Sequence, residues 1–399
     1  MTRQRAPRVA FVVPFGLSRR GTVPFRVLPM AWSLERMGAE VRIIVPNWDA
    51  PAGHRVSTKA VGEHVEMLVL PVPPRWRRPG RWGTVVAAHA LIGPVIQHVR
   101  AWHPDYIHLV KPLGASVEFL AWVRFARLLG QRGDPLGRLP LILDCDDLEN
   151  AWFRSHGLLV SLLVSWGERW AWRLADRVTV ASRFLWALVA RARGDEKVHY
   201  VPNAVFPPEQ RVHPQRSQRL LVPTRLLDIR PEVLARWLRA ILARIPEMNV
   251  LLVGPQAERL AAVQRALTDA GIQRQVAVLQ WQPIRAYERL LYHTRVGLYA
   301  VEDTPAARAK SPARLLHMMA HGIPVVAADV GDAGYIVGHT GRCVPPTPDA
   351  MGEAVRDLWF QGELLDRLGR AAQRRVVREF SLEKMGERLR AVYEASLSR

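Results

Sequence analysis

Short apolar runs alternate with amphipathic stretches along the whole chain, and this alternation limits the possible fold more than any other feature of the sequence. Runs such as RVAFVV at 8–13 and VEMLVL at 65–70 are typical of strands buried in a parallel sheet whose faces are covered by helices. The first half therefore predicts strands at 8–13, 41–45, 65–70, 105–110, 139–143, 177–182 and 197–201, with helices at 23–37, 84–101, 115–129, 151–174 and 183–192.

A polar, proline-rich passage at residues 202–218 interrupts this alternation and is the best candidate for a linker. The alternation then restarts, with predicted strands at 219–224, 249–254, 275–280, 295–301 and 323–329 and predicted helices at 231–244, 256–270, 284–293 and 312–321. The chain is therefore predicted to be α/β, with two doubly wound parallel-sheet domains in series. In such a pair a ligand is expected between the two sheets, at the carboxyl ends of the strands.

The charge of the chain narrows the choice of partner. The 399 residues carry 56 Lys and Arg against 36 Asp and Glu, a formal net charge of +20. Such an excess favours nucleic acid, an anionic membrane surface or nucleotide phosphates as partners. Two cysteines, Cys145 and Cys343, are too few for a disulfide framework, so a cytoplasmic location is expected. The longest nearly uncharged stretch, 84–99, is too short to span a bilayer.

One segment combines basic residues with the start of a predicted helix. Pro312 suits the first turn of this helix and Gly322 suits its end. Lys310, Ser311 and Arg314 surround the amino end, where free N–H groups and positive charge favour a phosphate. The alternative is an ordinary turn between helix and strand, with solvated charges.

Here the sequence resembles a known family, the GT-B glycosyltransferases, and within them the large retaining family four, also called group 1. The resemblance is carried by MAHGIPVVA at 319–327, by TRLLDIR at 224–230, by VLLVGP at 250–255 and by the terminal FSLEKMGERLRAVYEASL at 380–397. The segment that begins Lys310-Ser-Pro-Ala-Arg-Leu is also similar to a variant found in bacterial transferases.

The resemblance implies a GT-B fold, with two Rossmann-like domains facing a central cleft. It implies an acceptor-side domain at 1–205, joined by a C-terminal helix at 381–399, and a nucleotide-sugar-binding domain at 206–380. The implied activity is metal-independent, retaining transfer of a sugar from a nucleotide-diphosphate sugar to an acceptor hydroxyl, with no cofactor beyond that co-substrate.

The resemblance also assigns residues to the donor. Arg225 and Arg230 take the places of the pyrophosphate-binding Arg and Lys, and they are expected to stabilise the departing diphosphate. The remaining donor-site residues implied are Gly21, Gly254, Lys310, Ser311, Arg314, Leu315 and His317.

The chain departs from the family at two positions that usually carry glutamates. These positions fall on Ala309 and His317. A histidine can still hydrogen-bond a ribose hydroxyl, but it does not replace a bidentate carboxylate. The alternative function is therefore a catalytically degraded GT-B binding or scaffold protein. His317 and His321 also have the spacing of zinc ligands, yet Met318 replaces the usual Glu and no third ligand is evident, so no metal is expected.

Acidic residues follow the predicted strand at 139–143. Asp146 and Asp147 stand at its carboxyl end, where the resemblance implies a residue facing the donor sugar or the acceptor. The alternative is capping of the next helix, by Asp147 or Asn150. Gly21, in the loop after the first strand, would let backbone N–H groups approach sugar or phosphate, with Arg19, Arg20 and Arg26 nearby.

Two segments combine Trp with Arg, residues 75–82 and 151–174. Such surfaces suit a membrane interface or single-stranded nucleic acid, and the alternative is a core helix with a solvated loop. A sugar, polysaccharide or lipid-linked acceptor at the inner face of an anionic membrane is expected, in cell-envelope synthesis, rather than nucleic acid.

Overall fold

The predicted apolar runs form the centres of two sheets in the computed structural model, which describes residues 5–14, 21–47, 56–72, 83–129, 135–153, 157–208, 212–213 and 217–397. The chain divides into two compact units. Unit 1 comprises Met1–Asn203 and Leu382–Arg399, and unit 2 comprises Ala204–Ser381.

Unit 1 is built on a sheet that has eight strands within the described residues, in the order β3-β4-β2-β1-β5-β6-β7-β8. All neighbouring pairs are parallel except β3 and β4. The central strands are apolar and buried because helices cover both of their faces. The strands are β1 (Arg8–Val12), β2 (Glu40–Asn47), β3 (Ser57–Ala60), β4 (Val65–Pro71), β5 (Tyr106–Val110), β6 (Leu141–Cys145), β7 (Arg177–Val180) and β8 (Val198–Tyr200).

The helices of unit 1 follow the same βα rhythm. They are α1 (Leu28–Glu35), preceded by a π-helical turn at Val23–Val27, α2 (Gly83–Trp102), α3 (Ala115–Leu128), α4 (Glu149–Phe153), α5 (Leu158–Leu174), α6 (Arg183–Arg193) and α15 (Leu382–Leu397). The last helix packs against α1. Their approach is close, since a Cβ added at Gly386 would meet the Ser33 carbonyl oxygen at 2.9 Å.

Unit 2 has a six-stranded sheet within the described residues, parallel throughout, in the order β11-β10-β9-β12-β13-β14. Its strands are β9 (Arg219–Pro223), β10 (Asn249–Val253), β11 (Val276–Leu279), β12 (Val296–Tyr299), β13 (Val325–Ala328) and β14 (Arg342–Val344). Its helices are α7 (Pro231–Arg244), α8 (Ala257–Asp269), α9 (Ile284–Leu291), α10 (Pro305–Arg308), α11 (Ala313–Ala320), α12 (Ala333–Val337), α13 (Pro348–Trp359) and α14 (Gly362–Glu379).

The predicted fold class is confirmed, since both sheets are Rossmann-like α/β sheets, but two details of unit 1 differ from the sequence expectations. Strand β3 was not expected, and it is a short antiparallel edge strand. The helix expected at 151–174 is two helices, α4 and α5, and the second begins after Gly157, whose φ is 101°. Trp76 and Trp82 lie outside the described residues. Among the helices that the structure describes, none is long and apolar enough to cross a membrane.

Candidate functional site

In unit 2, basic side chains converge on one buried carboxylate, Asp228, in the loop after β9. Its side chain is 3% exposed and accepts hydrogen bonds from Lys310 Nζ and from Arg314 Nη2, the latter at 3.2 Å. Arg314 also donates from Nη1 to the Pro223 carbonyl oxygen at 3.0 Å. Burial acts to raise the pKa of Asp228, but Lys310, Arg314 and Arg225 outweigh it and hold that pKa below its ordinary value.

Arg230 lies at the exposed margin of this group. Its Nε donates to both oxygens of Glu302, at 2.9 and 3.1 Å, and its side chain is 73% exposed. The Glu302 backbone N–H donates to the Asp228 carbonyl oxygen at 2.8 Å, which joins the loop after β12 to the loop after β9. The cations predicted to bind a diphosphate are therefore already paired with two carboxylates, Asp228 and Glu302. The sequence analysis did not predict this pairing.

Gly254 has a conformational role in the loop after β10. Its φ is 117°, and a Cβ added there would lie 2.8 Å from the Thr224 carbonyl oxygen. Only glycine fits both constraints without strain. On the other side of the contact, Thr224 Oγ1 accepts from the Leu226 N–H at 3.0 Å, and Leu226 has a φ of 56°. The tight turn at the start of the TRLLDIR segment, from Thr224 to Leu226, is therefore packed directly against Gly254.

The start of α11 places the other predicted donor residues. Ser311 is buried, and Pro312 is the residue before the first turn. The side chain of Leu315 is fully buried in the core, and its N–H donates to the Pro312 carbonyl oxygen at 3.0 Å. Ala309, at the first of the two positions where the family carries a glutamate, is also fully buried. Leu315 is therefore a core residue whose N–H is already used within the helix.

His317 is neutral at physiological pH. Burial, with a contribution from His321, lowers its pKa to about 4. Burial also lowers the pKa of His321, whose Nδ1 lies 2.8 Å from the His317 carbonyl oxygen. A neutral imidazole can donate one hydrogen bond and accept another.

Unit 1 carries the opposite arrangement, with one buried lysine among carboxylates. Lys111 follows β5 directly, has a φ of 58° and is 2% exposed. Its Nζ lies 2.7 Å from Asp146 Oδ1, 2.8 Å from Asp147 Oδ2 and 2.6 Å from Glu149 Oε1. The carboxyl ends of β5 and β6 are adjacent in the sheet, which brings these residues together.

Two carboxyl groups, one in this cluster and one beside it, have pKa values raised toward neutral pH. Burial raises the pKa of Asp146 to about 7, although Lys111 acts against it. Burial also raises the pKa of Glu168 on α5 to about 7, although its hydrogen bonds from the N–H groups of Glu149 (3.0 Å) and Asn150 (3.4 Å) oppose this. Glu168 therefore caps α4, the role considered for Asp147. Burial acts to lower the pKa of Lys111, and the surrounding carboxylates reverse this and raise it.

The same carboxylates have the spacing of a metal site. Ligand oxygens of Asp146, Asp147 and Glu149 all lie within 4.8 Å of one another. The Lys111 ammonium, however, already forms ion pairs with all three and donates hydrogen bonds to Asp147 and Glu149. A divalent cation would have to displace a buried lysine, so the arrangement fits an internal counter-ion better than a metal.

Arg26 is not available to a ligand, contrary to its expected place near the donor. It is 1% exposed, and its guanidinium binds Asp144 on β6 through two hydrogen bonds of 3.0 and 2.6 Å. The same Arg26 donates to the Asn203 side chain at 3.3 Å, and Asp144 also accepts from Thr179 Oγ1 at 2.7 Å. Gly21 accepts the Phe25 N–H at 3.0 Å, while Arg19 and Arg20 lie outside the described residues.

Three residues that sequence reasoning missed organise these clusters. Asp228 stands inside the quoted TRLLDIR segment, and an acid between two arginines was the available signal. Lys111 is one of only five lysines and directly follows a predicted strand, which was also a signal. Glu168 had none, since its partners depend on how α4 and α5 pack.

Comparison with known families and structures identifies the family to which the chain belongs. The family described as glycosyl transferase 4-like domain matches residues 21–204, and the family described as glycosyl transferases group 1 matches residues 219–360. No curated protein matches the chain. The two matches define a glycosyltransferase of the GT-B class. The chain belongs to the group 1 glycosyltransferases, as the resemblance implied.

Solved structures support the same fold. Sucrose-phosphate synthase from Thermosynechococcus elongatus is 18% identical with a TM-score of 0.76, and the alignment covers 99% of this chain and 100% of that chain. The catalytic domain of starch synthase IV from Arabidopsis thaliana, bound to ADP and acarbose, is 14% identical with a TM-score of 0.71, over 99% and 100%. Anabaena HepE in complex with UDP and glucose is 16% identical with a TM-score of 0.67, over 98% and 100%.

Proposed function

We propose that this glycosyltransferase moves a hexosyl group, with retention of configuration, from a nucleotide-diphosphate sugar to an acceptor hydroxyl during synthesis of a cell-envelope glycan, polysaccharide or glycolipid. The observation that carries the proposal is the grouping of Lys310, Arg314 and Arg225 around Asp228, in the unit that matches the group 1 family. Cations beside a buried acid are held in position before a ligand arrives, as electrostatic catalysis requires.

The basic group would replace a metal ion during departure of the diphosphate. As the bond from the sugar to the diphosphate breaks, negative charge collects on the leaving oxygen, and Arg225, Lys310 and Arg314 would stabilise it. Arg230 would contribute from the margin, since its side chain is largely exposed. Transfer is therefore expected to proceed unchanged in the presence of EDTA.

His317, Asp146 and Asp147 would hydrogen-bond the hydroxyl groups of the reactants. The neutral imidazole of His317 would hydrogen-bond the ribose hydroxyls. Asp146 and Asp147, held by Lys111, would accept hydrogen bonds from hydroxyls of the sugar or the acceptor. The attacking hydroxyl would approach on the face that the diphosphate leaves and would pass its proton to the departing phosphate oxygen as its own oxygen bonds the anomeric carbon, which yields retention.

The donor class is supported by the ligands in similar structures. Starch synthase IV was solved with ADP and acarbose, and HepE with UDP and glucose. Both ligand sets contain a nucleoside diphosphate, the group that the cluster of unit 2 would bind. A lipid-linked acceptor and a place at the inner, anionic face of a membrane complete the proposal, supported by the net charge of +20.

A non-catalytic function of the same fold remains a second candidate because of Ala309 and His317. Ala309 is fully buried and carries no functional group, and His317 is uncharged, so neither supplies the charge of the family's glutamates. This candidate predicts binding of a nucleotide sugar without turnover.

Turnover with a panel of UDP-, ADP-, GDP- and dTDP-sugars separates the two candidates. Nucleotide release that depends on an acceptor, persists in EDTA and gives a product with the donor's anomeric configuration by NMR supports transfer. The double variant Arg225→Met/Lys310→Met should lose this release by about 100-fold or more, because two charge-stabilising groups are removed. Arg236→Met, an exposed arginine of α7, is the matched control and should retain it. Binding without release supports the second candidate.

A further inference from the structure

Helix α5 presents one uninterrupted stripe of exposed residues along its whole length. Its most exposed positions recur at helical spacing, so they lie on one face. In chain order the stripe consists of Leu158, Leu159, Leu162, Leu163, Trp166, Arg169, Trp170 and Arg173. Large apolar side chains exposed together in this way mark a surface that another body covers.

The chemistry of the α5 stripe changes along the helix axis. The four leucines at its amino end are 56–77% exposed. Trp166 and Trp170 follow, 65% and 38% exposed, with their rings stacked at a centroid distance of 5.8 Å. Arg169 and Arg173 complete the carboxyl half. The order is aliphatic first, followed by alternating aromatic and cationic residues.

This order matches the layers of a bilayer surface. At a rise of about 1.5 Å per residue, the leucines occupy about 8 Å of the helix axis, the depth to which interfacial helices bury their apolar side. Tryptophan and arginine both favour the headgroup level, where the indole rings lie among the headgroups and the guanidinium groups meet the anionic phosphates. From Leu158 to Arg173 the axis is about 22 Å long, too short to span the hydrocarbon core.

We propose that the α5 stripe docks unit 1 on an anionic lipid bilayer, with the amino end of the helix tilted into the acyl boundary. The leucines would enter this boundary, the tryptophans would lie among the headgroups, and Arg169 and Arg173 would contact lipid phosphates. The inference rests on the proposed place of the enzyme at a membrane and not on its transfer chemistry.

Charge argues for lipid over a second copy of the chain. Glu168 is the sole acidic residue of α5, and it is buried, turned away from the stripe. Two such stripes packed together would offer Arg169 and Arg173 no carboxylate on the opposing helix. An anionic bilayer supplies a phosphate for each of them.

The docking helix is also joined to the carboxylate cluster. Glu168 accepts the N–H groups of Glu149 and Asn150, at the start of α4, two and three residues after Asp147. Since α4 and α5 pack together within unit 1, docking through the stripe would hold Asp146 and Asp147 at a fixed distance from the lipid surface. This geometry suits an acceptor anchored in that surface.

Vesicle co-sedimentation of the full chain tests the proposal. Wild type should bind vesicles of phosphatidylcholine with phosphatidylglycerol, and bind phosphatidylcholine alone more weakly. Changing the four leucines to serine should reduce binding to the anionic vesicles by about 100-fold or more, because their apolar side chains no longer enter the bilayer. R169E/R173E should reduce it by about 10- to 100-fold on anionic vesicles only, and should flatten its salt dependence.

Matched controls come from exposed residues of unit 2. W281S/F360S removes two apolar side chains that are 58% and 64% exposed, and R236E/R239E reverses two exposed arginines of α7. Both should bind vesicles as wild type does. Thermal unfolding of all variants checks that they fold, and nucleotide release with a water-soluble acceptor should be unchanged in the leucine variant.

Three results would overturn the proposal: wild type that does not sediment with anionic vesicles, stripe variants that sediment as well as wild type, or a wild-type dimer without vesicle affinity that the leucine variant converts to monomer. Loss of vesicle binding with intact nucleotide release supports docking independently of catalysis. Absence of nucleotide release in every protein, with stripe-dependent vesicle binding, refutes the proposed transfer and leaves the docking surface standing.

Discussion

The two units carry opposite charge arrangements at the carboxyl ends of similar sheets. In unit 1, one buried cation, Lys111, is surrounded by Asp146, Asp147 and Glu149. In unit 2, one buried anion, Asp228, is contacted by basic side chains. Each buried charge is satisfied by its neighbours, and the surplus charge on the neighbours has opposite sign in the two units.

This difference indicates how one architecture serves two tasks. Basic side chains held by a buried acid retain net positive charge, which suits a diphosphate. Carboxylates held by a buried lysine retain acceptor oxygens and a proton affinity near neutral pH, which suits hydroxyl groups. The shared fold places these side chains at the carboxyl ends of the strands, and the sign of their surplus charge determines which chemical group they can bind.

The largest expected effect is that of removing the buried cation of unit 1. Lys111→Met leaves three carboxylates without their counter-ion, so the free energy of unfolding should fall by about 3–5 kcal/mol in urea denaturation. The control is Lys59→Met, an exposed lysine on β3, which should change it by less than about 0.5 kcal/mol. Equal effects of the two variants would show that the Lys111 cluster is not a stabilising charge centre.

The basic group of unit 2 should affect both ligand binding and folding, because Lys310 and Arg314 are also the counter-ions of buried Asp228. Lys310→Met/Arg314→Met removes two cations of the proposed diphosphate site and should weaken binding of a nucleoside diphosphate by about 30- to 100-fold, measured by calorimetry. Binding of the corresponding nucleoside, which carries no phosphate, should change little. If the affinity for both ligands falls equally, Lys310 and Arg314 shape the pocket and do not contact phosphate.

The pH dependence of stability should have opposite sign in the two clusters. The folded-state pKa of Asp146 is raised to about 7 from an ordinary value of 3.8, so its contribution is complete below the ordinary pKa and is lost as pH rises through 7. The folded-state pKa of Asp228 is lowered, so its contribution is present above the ordinary value and is lost as pH falls through the folded one.

Urea denaturation across pH checks these signs. Asp146→Asn should remove a slope of up to about 1.4 kcal/mol per pH unit between pH 4 and 7, and Asp228→Asn should leave that slope in place and alter the acid side only. A slope that persists unchanged in Asp146→Asn would place the titrating group elsewhere, and Glu168→Gln is the next variant to compare, because its pKa is raised similarly.

Most elements up to β13 were predicted from the sequence, whereas β14, the helices α12 to α14 and the charge partners were not. Helix α7 was predicted at its observed bounds, since burial of one helix face imposes a local period. Strand β3 was missed because the exposed STKA segment has no apolar alternation. Lys111 meets Asp147 across 36 residues and Arg26 meets Asp144 across 118. Such pairs depend on strand order, which local patterns do not encode.

The smallest expected effect is at the exposed margin of unit 2. Arg230→Ala breaks an ion pair with Glu302 that is largely open to solvent, so the free energy of unfolding should change by less than about 1 kcal/mol. Affinity for a nucleoside diphosphate should fall by about 3- to 10-fold, less than for Lys310→Met/Arg314→Met. A loss larger than that of the double variant would make Arg230 the principal phosphate contact and reverse the assigned order.

The central claim is that the basic group of unit 2 binds the diphosphate of a nucleotide sugar. The most direct measurement is a calorimetric titration of wild type and Arg225→Met/Lys310→Met with a nucleoside diphosphate and with its nucleoside. Wild type is predicted to prefer the diphosphate by about 100-fold, and the variant to lose most of that preference. Equal affinity of wild type for the two ligands, or a preference that survives in the variant, would contradict the claim.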